Sequence, residues 1–178
     1  TLSLILRDSF QIEPICLEID KTNKRYLEKR GFEIFDELST VGNEVDLIFS
    51  SNVLEHIEND VSVLRDMRTQ LKVGGKIFLY LPAKMLLWSK LDEEVGHYRR
   101  YEYSELIDKC KQVGLTIEEI HFADSVGFFA SLAMKVFGYN KNAGIGSVSS
   151  LRFYDKWLLP LSILLDKVGC KYLFGKNI

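Results

Sequence analysis

Short apolar runs and amphipathic stretches alternate along most of the chain. The runs that suit strands of a buried parallel sheet fall at 14–20, 32–35, 45–50 and 76–82, and 115–122 alternates like a half-buried strand. The stretches that suit helices fall at 1–10, 21–31, 51–71 and 103–114. Strands and helices that alternate at this spacing predict an α/β fold with a Rossmann-like, mainly parallel sheet.

The last third of the chain is different, because it lacks strand patterns and holds two apolar helical stretches, around 126–137 and 151–167. A weakly patterned segment at 140–150 separates them. We therefore predict a core over 1–125 and a helical appendage of the same domain over 126–178. The longest apolar run, WLLPLSILL at 157–165, is too short to span a bilayer. The tail is expected to cover the mouth of an active site, form a homodimer, or make peripheral contact with a membrane.

Composition narrows the function classes. The chain has 178 residues, enough for one domain with a sizeable core, and 47% apolar with 27% charged residues is a globular balance. A net charge of −2 with scattered basic residues argues against a nucleic-acid partner. The three cysteines are far apart, which favours buried thiols in a reducing, cytoplasmic setting. No Cys/His spacing is typical of a metal site, so none is expected.

Polar residues follow three of the predicted strands, where ligands bind in open α/β sheets. Glu18 ends the first strand and could accept the hydroxyls of a ribose, or simply cap a helix. Asp36 follows the second and could receive an adenine amino group, or be an ordinary loop acid. SSNVLEHI at 50–57 follows the third, and its small residues allow close approach of a flat ligand.

These residues carry a resemblance. FSSNVLEHI, followed by LKVGG at 71–75, resembles strands four and five of class I S-adenosylmethionine-dependent methyltransferases, in their small-molecule branch. The resemblance implies that S-adenosylmethionine is the cofactor, and that its site includes Glu18, Ile19, Asp36, Ser51, Asn52 and Val53. The family's first strand and Gly-rich loop are not found before residue 18, and its last strand would begin near GKNI at 175–178. The resemblance therefore implies a chain cut at both ends.

LWSKLDEEVGHYRRY at 87–101 and the tail motif LRFYDKWLLPLSILLD further resemble a bacterial subgroup found beside glycosyltransferase genes. This implies methyl transfer to a small or glycan-linked polar acceptor. The alternatives are a non-catalytic fragment or partner-binding subunit that keeps the fold, and a nicotinamide-dependent enzyme, in which FSSNVLEHI is not expected. Of the three histidines, His56 and His121 are interpreted as structural.

The stretch LDEEVGHYRRY at 91–101 is predicted to form the acceptor wall. His97 would act as the catalytic base, since a histidine titrates near neutral pH. The expected acceptor-binding residues are Tyr98, Arg99, Arg100 and Tyr101. Because neighbours in an extended segment point in opposite directions, we expect one arginine to reach the acceptor and the other to pair with an acid at 92–94. The alternative is a structural lid.

Overall fold

The computed structural model describes residues 2–42, 45–137 and 148–178. The strands there are β1 Cys16–Leu17, β2 Ile34–Phe35, β3 Val45–Ser51 and β4 Leu71–Tyr80. The helices are α1 Leu2–Phe10, α2 Lys21–Glu28, α3 Asp60–Gln70, α4 Lys90–Glu94, α5 Tyr103–Gln112, α6 Ser125–Phe137, α7 Val148–Phe153 and α8 Leu159–Lys167. Single 3-10 turns lie at Leu38–Thr40, Leu54–His56, Met85–Leu87 and Cys170–Tyr172, and a π-helical turn at Tyr154–Leu158 joins α7 to α8. The α/β class predicted from the sequence is confirmed.

The chain divides into two compact units, of which the first holds Thr1–Leu47 and Asp66–Lys76. In this unit β1 pairs with β2 in parallel, so that Cys16 lies opposite Ile34. Its small core is formed by Cys16, Leu27 and Phe32. Helix α2 begins where the side chain of Asp20 accepts bonds from two backbone N–H groups, a favourable N-cap. The predicted strands and polar helix of this region are confirmed, although both strands are shorter than predicted.

The second unit holds Ile48–Arg65 and Ile77–Ile178. The second sheet is formed by β3 and β4, and in this unit the Asn52 N–H donates to the Tyr80 carbonyl at 2.8 Å. The chain beyond β4 pairs with the C-terminal residues, since Leu81 and Ile178 exchange both backbone hydrogen bonds, at 2.8 and 2.9 Å. Asn177 forms antiparallel bridges with both Pro82 and Ala123. The GKNI segment thus lies as a short antiparallel strand between two other segments of this unit.

Several local predictions are wrong, among them the helix predicted at 51–71, of which only Asp60–Gln70 is α-helical. Residues 115–122 do not form a strand, because the ladder that alternation requires is limited to a single bridge at Ala123. Strand β4 begins at Leu71, five residues before its predicted start at 76. The stretch 91–101 is not wholly extended, because α4 occupies Lys90–Glu94. A capping box between Ser89 and Asp92 initiates that helix, a signal that the sequence SKLD already carried.

The two predicted tail helices are confirmed, and within the second unit Asp124 bonds to residues of both. The Asp124 carboxylate accepts hydrogen bonds from the hydroxyls of Tyr154, at 2.6 Å, and Ser162, at 3.0 Å. Its backbone N–H donates to Asp166 at 2.9 Å. On other sides the tail leaves large apolar side chains exposed, among them Trp157, Ile163 and Leu164. Among the described residues, no helix is both long and apolar enough to cross a bilayer.

Candidate functional site

Four side chains of the segment 97–101 contact two buried aspartates. The first is Asp60, at the start of α3. Its carboxylate accepts a hydrogen bond from the Tyr101 hydroxyl at 2.8 Å and pairs with Arg99 at 2.7 Å and Lys109 at 2.6 Å. Arg99 also donates to the Glu58 carbonyl at 2.7 Å. We call Asp60, Arg99, Tyr101 and Lys109 the Asp60 cluster.

Hydrogen bonding dominates the electrostatics of the Asp60 cluster. Burial alone would raise the pKa of the Asp60 carboxyl, but the bonds from Lys109, Arg99 and Tyr101 hold this pKa below its ordinary value. Burial and the bond to Asp60 in turn raise the pKa of the Tyr101 phenol. Tyr101 is fully buried. The Asp60 cluster therefore fastens the segment 97–101 to α3 and α5.

The second aspartate is Asp92 in α4, which is also buried. One carboxylate oxygen closes the capping box with Ser89. The other accepts a hydrogen bond from Arg100 Nε at 2.8 Å and lies 2.9 Å from His97 Nδ1. Although burial raises the pKa of the Asp92 carboxyl, Arg100, Ser89 and His97 lower it below its ordinary value. A charged carboxylate at Nδ1 favours the tautomer in which Nδ1 carries the proton, and Nε2 is then the free nitrogen of the ring. Asp92, His97 and Arg100 form the Asp92 cluster.

His97 Nε2 faces a third buried acid, Glu55, whose Oε1 lies 3.9 Å away. Glu55 belongs to the 3-10 turn Leu54–His56, which follows β3 and is tied to the segment 97–101 by a bond from Tyr98 N–H to the Glu55 carbonyl. Glu55 is fully buried, and neither carboxylate oxygen has a hydrogen-bond partner among the described residues. Burial raises the pKa of Glu55.

His56, the next residue, is exposed at the edge of the same site. Its ring meets the His97 ring edge-on, with centroids 4.6 Å apart. Burial lowers the pKa of His97 below its ordinary value, and Asp92 only partly opposes this, so the ring is neutral at pH 7. One ligand atom each of Glu55, His56 and His97 lies within 4.8 Å of the others. The site thus unites a neutral imidazole, a second imidazole and an unpartnered carboxyl.

The predicted cofactor residues fall in both units. Ser51, Asn52 and Val53 lie in the second unit, where Ser51 ends β3 and the next two residues precede the 3-10 turn, and the Asn52 side chain donates to Ser51 Oγ at 3.3 Å. Asn52 is exposed and has a left-handed backbone with φ of 51°, and Val53 is also exposed. The chain thus presents a small hydroxyl at the end of β3 and exposed residues after it, and their contact with a flat ligand stays a prediction.

Glu18, Ile19 and Asp36 lie in the first unit, and no contact in the described residues tests their predicted role. Glu18 follows β1 and accepts a bond from the Asp20 N–H at 2.9 Å, and Ile19 is 81% exposed. Asp36 follows β2 and pairs with Lys24 at 2.7 Å. Because β1 and β2 are parallel, Glu18 and Asp36 lie at the same edge of their sheet. A cofactor site that includes these residues stays a prediction.

The sequence-based reasoning missed Glu55 and Asp60. Glu55 stands between apolar Leu54 and a histidine in LEHI, and a 3-10 turn has no long apolar periodicity that would reveal its burial. Asp60 opens α3, a position in which an acid is normally explained by the helix dipole. The cation and phenol that bind it lie some forty residues later. Only the three-dimensional fold brings these groups together.

Comparison with known proteins finds a related domain and a related fold. The family model described as "Methyltransferase domain" matches residues 15–79. The fold is similar to that of an S-adenosylmethionine-dependent methyltransferase from Mesorhizobium loti, with a TM-score of 0.51 and 13% sequence identity over 71% of this chain and 76% of that one. No curated protein sequence matches the chain. The domain match and the shared fold support an S-adenosylmethionine-dependent methyltransferase.

Proposed function

We propose that the protein transfers the methyl group of S-adenosylmethionine to a hydroxyl of a small or glycan-linked polar acceptor, beside His97. One observation carries this proposal: His97, held through Nδ1 by a buried aspartate, lies in the chain that follows β4, where burial also lowers its pKa. Ligands bind beyond the carboxyl ends of strands in such sheets. The position and the protonation state both suit a group that assists the loss of the acceptor proton.

Methyl transfer from the sulfonium requires no covalent intermediate with the protein. The acceptor oxygen attacks the methyl carbon in line with the bond to sulfur; the new O–C bond forms as the C–S bond breaks, and the electron pair returns to sulfur. The sulfonium is already activated, so alignment of the two reactants supplies most of the rate. The acceptor proton must also leave, and His97 provides a site to which it can pass.

The four predicted acceptor-binding residues now divide by exposure. Tyr98 is 54% exposed, and its ring offers a flat apolar surface to a sugar. Of the two arginines, the Arg99 side chain is 19% exposed and that of Arg100 only 7%. We therefore assign acceptor contact to Tyr98 and Arg99. Arg100 and Tyr101 act through Asp92 and Asp60 and position the segment.

The cofactor part of the proposal keeps the predicted residues. Glu18 would accept the ribose hydroxyls, Ile19 and Asp36 would contact the adenine, and 51–53 would approach the cofactor through their backbone. Glu18 has one carboxylate oxygen bonded to the Asp20 N–H, which leaves the other able to accept. This assignment is supported by the domain match, which spans all six residues. Peripheral membrane contact or a homodimer through the exposed apolar tail stays a prediction, which sedimentation with and without anionic liposomes would test.

The experiment is a methyl-transfer assay with labelled S-adenosylmethionine and a panel of free sugars, glycosides and lipid-linked glycans. His97→Ala should lower kcat by about 10²-fold or more, while calorimetric titration shows cofactor affinity close to wild type. His121→Ala is the matched control, because that histidine lies outside the site with its Nδ1 on its neighbour's carbonyl. If neither protein binds S-adenosylmethionine, the alternative of a non-catalytic subunit replaces this proposal.

A further inference from the structure

We infer that Glu55, His56 and His97 together bind one divalent transition-metal cation, with Zn²⁺ as the best fit. The three side chains come from the turn after β3 and from the segment 97–101. No spacing in the sequence reveals them, since two are adjacent and the third lies some forty residues on. The inference rests on the proposed function in one respect: the cation would act on the acceptor of that reaction.

The ligand atoms of the three side chains already lie close together. One ligand atom from each residue lies within 4.8 Å of the other two, and Glu55 Oε1 is 3.9 Å from His97 Nε2. A zinc ion binds nitrogen and oxygen at about 2.0–2.2 Å, so two of its ligand atoms lie about 3.4 Å apart in a tetrahedral site. Small side-chain rotations would therefore bring the three groups into coordination distance. The preformed spacing is already close to that of a metal site.

The buried carboxyl of Glu55 has no hydrogen-bond partner among the described residues. Glu55 is fully buried, and both its oxygens lack a hydrogen-bond partner among the described residues. Burial of such a group without compensation is costly, and native proteins rarely tolerate it without a pairing group, a water or an ion. A cation bound to one of the two oxygens would compensate the burial of the carboxylate. This observation points to a ligand independently of the distances.

The ring of His97 is oriented by a hydrogen bond to Asp92. A metal-binding histidine normally donates its other ring N–H to a carboxylate, which fixes the tautomer and aims the free nitrogen at the metal. Asp92 holds His97 Nδ1 in this way, and it leaves Nε2 directed toward Glu55. Arg100 pairs with Asp92, so the charge of that acid is balanced and the Glu55 charge remains for the cation.

The ligand set selects the kind of cation. Two imidazoles and one carboxylate suit Zn²⁺ and its transition-metal neighbours, whereas Mg²⁺ and Ca²⁺ prefer an all-oxygen shell. Three protein ligands leave at least one coordination position open, as in catalytic rather than structural zinc sites. His56 is exposed, so this position is reachable from solvent. With the cation bound, His97 would be a ligand and not the base, and the cation would instead ease loss of the acceptor proton to solvent by lowering the pKa of a hydroxyl at that position.

The test begins with binding and not with activity. The purified protein is stripped with a chelator, dialysed, and titrated with ZnCl₂ against a chromophoric competitor, and in parallel with CoCl₂ while the visible absorption of Co²⁺ is recorded. We expect one Zn²⁺ per chain. His56→Ala and Glu55→Gln should each weaken binding at least about tenfold and change the Co²⁺ spectrum. His121→Ala is the control histidine and should bind as wild type.

The variants are chosen so that folding does not decide the result. His56 is exposed, and glutamine has the shape of glutamate, so thermal unfolding should remain cooperative in both. Absence of saturable Zn²⁺ and Co²⁺ binding would overturn the inference, and so would binding that neither substitution weakens. Methyl transfer without metal binding would leave the proposed function intact with His97 as a direct base. Metal binding without methyl transfer would support the metal site and contradict the proposed function.

Discussion

Two buried aspartates accept the side chains of one short segment, yet their surroundings differ. Asp60 is surrounded by Arg99, Lys109 and Tyr101, and each of them donates to it. Asp92 is held by one cation and one histidine. The free nitrogen of that histidine faces an acid without a partner. The Asp60 cluster is complete by itself, whereas the Asp92 cluster leads to a site with unused binding capacity.

The difference separates structure from chemistry within a single motif. A buried acid that is fully paired has a low pKa and stays charged, and it fixes whatever donates to it. An imidazole that is half-buried, neutral and oriented can still exchange a proton or bind a ligand. The alternatives of an acceptor wall and a structural lid are therefore both partly right in our proposal. Arg100 and Tyr101 fasten the segment through Asp92 and Asp60, and His97 is left for the reaction.

The largest expected effect follows from removal of the Asp60 charge. Asp60→Asn keeps the shape but leaves Arg99 and Lys109, both mostly buried, without their shared acid. We expect a loss of about 3 kcal/mol in the free energy of unfolding, the low end for a broken buried pair, since Lys109 keeps Glu105. Urea titration measures this. Asp66→Asn, on the exposed side of the same helix, should change the free energy by less than about 0.5 kcal/mol.

A smaller effect is expected at Asp92, where the measured quantity is the affinity for Zn²⁺. Asp92→Asn should weaken Zn²⁺ binding by about 10–100-fold, because the amide no longer fixes the His97 tautomer. His97→Ala, which removes a ligand outright, should weaken it more. The chromophoric competition assay described above compares both with wild type, and Asp66→Asn again serves as the control. Equal affinity in Asp92→Asn and wild type would show that Asp92 has only the capping role it shares with Ser89.

The sequence predicted the strands around this site better than the side chains that form it. Period and strand-end polarity located β1 to β4, and the residues of 97–101 were recognised by their chemistry. The alternation of side chains was anticipated as well, and Arg100 pairs with Asp92, one of the acids expected. Glu55 could not be identified, because its isolation arises only when the turn after β3 is covered by distant residues. The strand predicted at 115–122 failed for a related reason, since pairing partners are not written in a local pattern.

The smallest expected effect is the change with pH in the stability that Asp60 contributes. The pKa of Asp60 is lower in the folded protein than its unfolded value of about 3.9, so its stabilising contribution is complete above that value. As the pH falls through the folded pKa, Asp60 takes up a proton and that contribution is lost. The gap in unfolding free energy between wild type and Asp60→Asn should therefore narrow from pH 6 to pH 3. Urea titrations of both proteins at each pH measure it, and titration of Glu105 and the other acids is common to the two. A gap of constant width would mean that the pKa of Asp60 is the same in the folded and unfolded protein, and the contrast between the two aspartates would then rest on geometry alone.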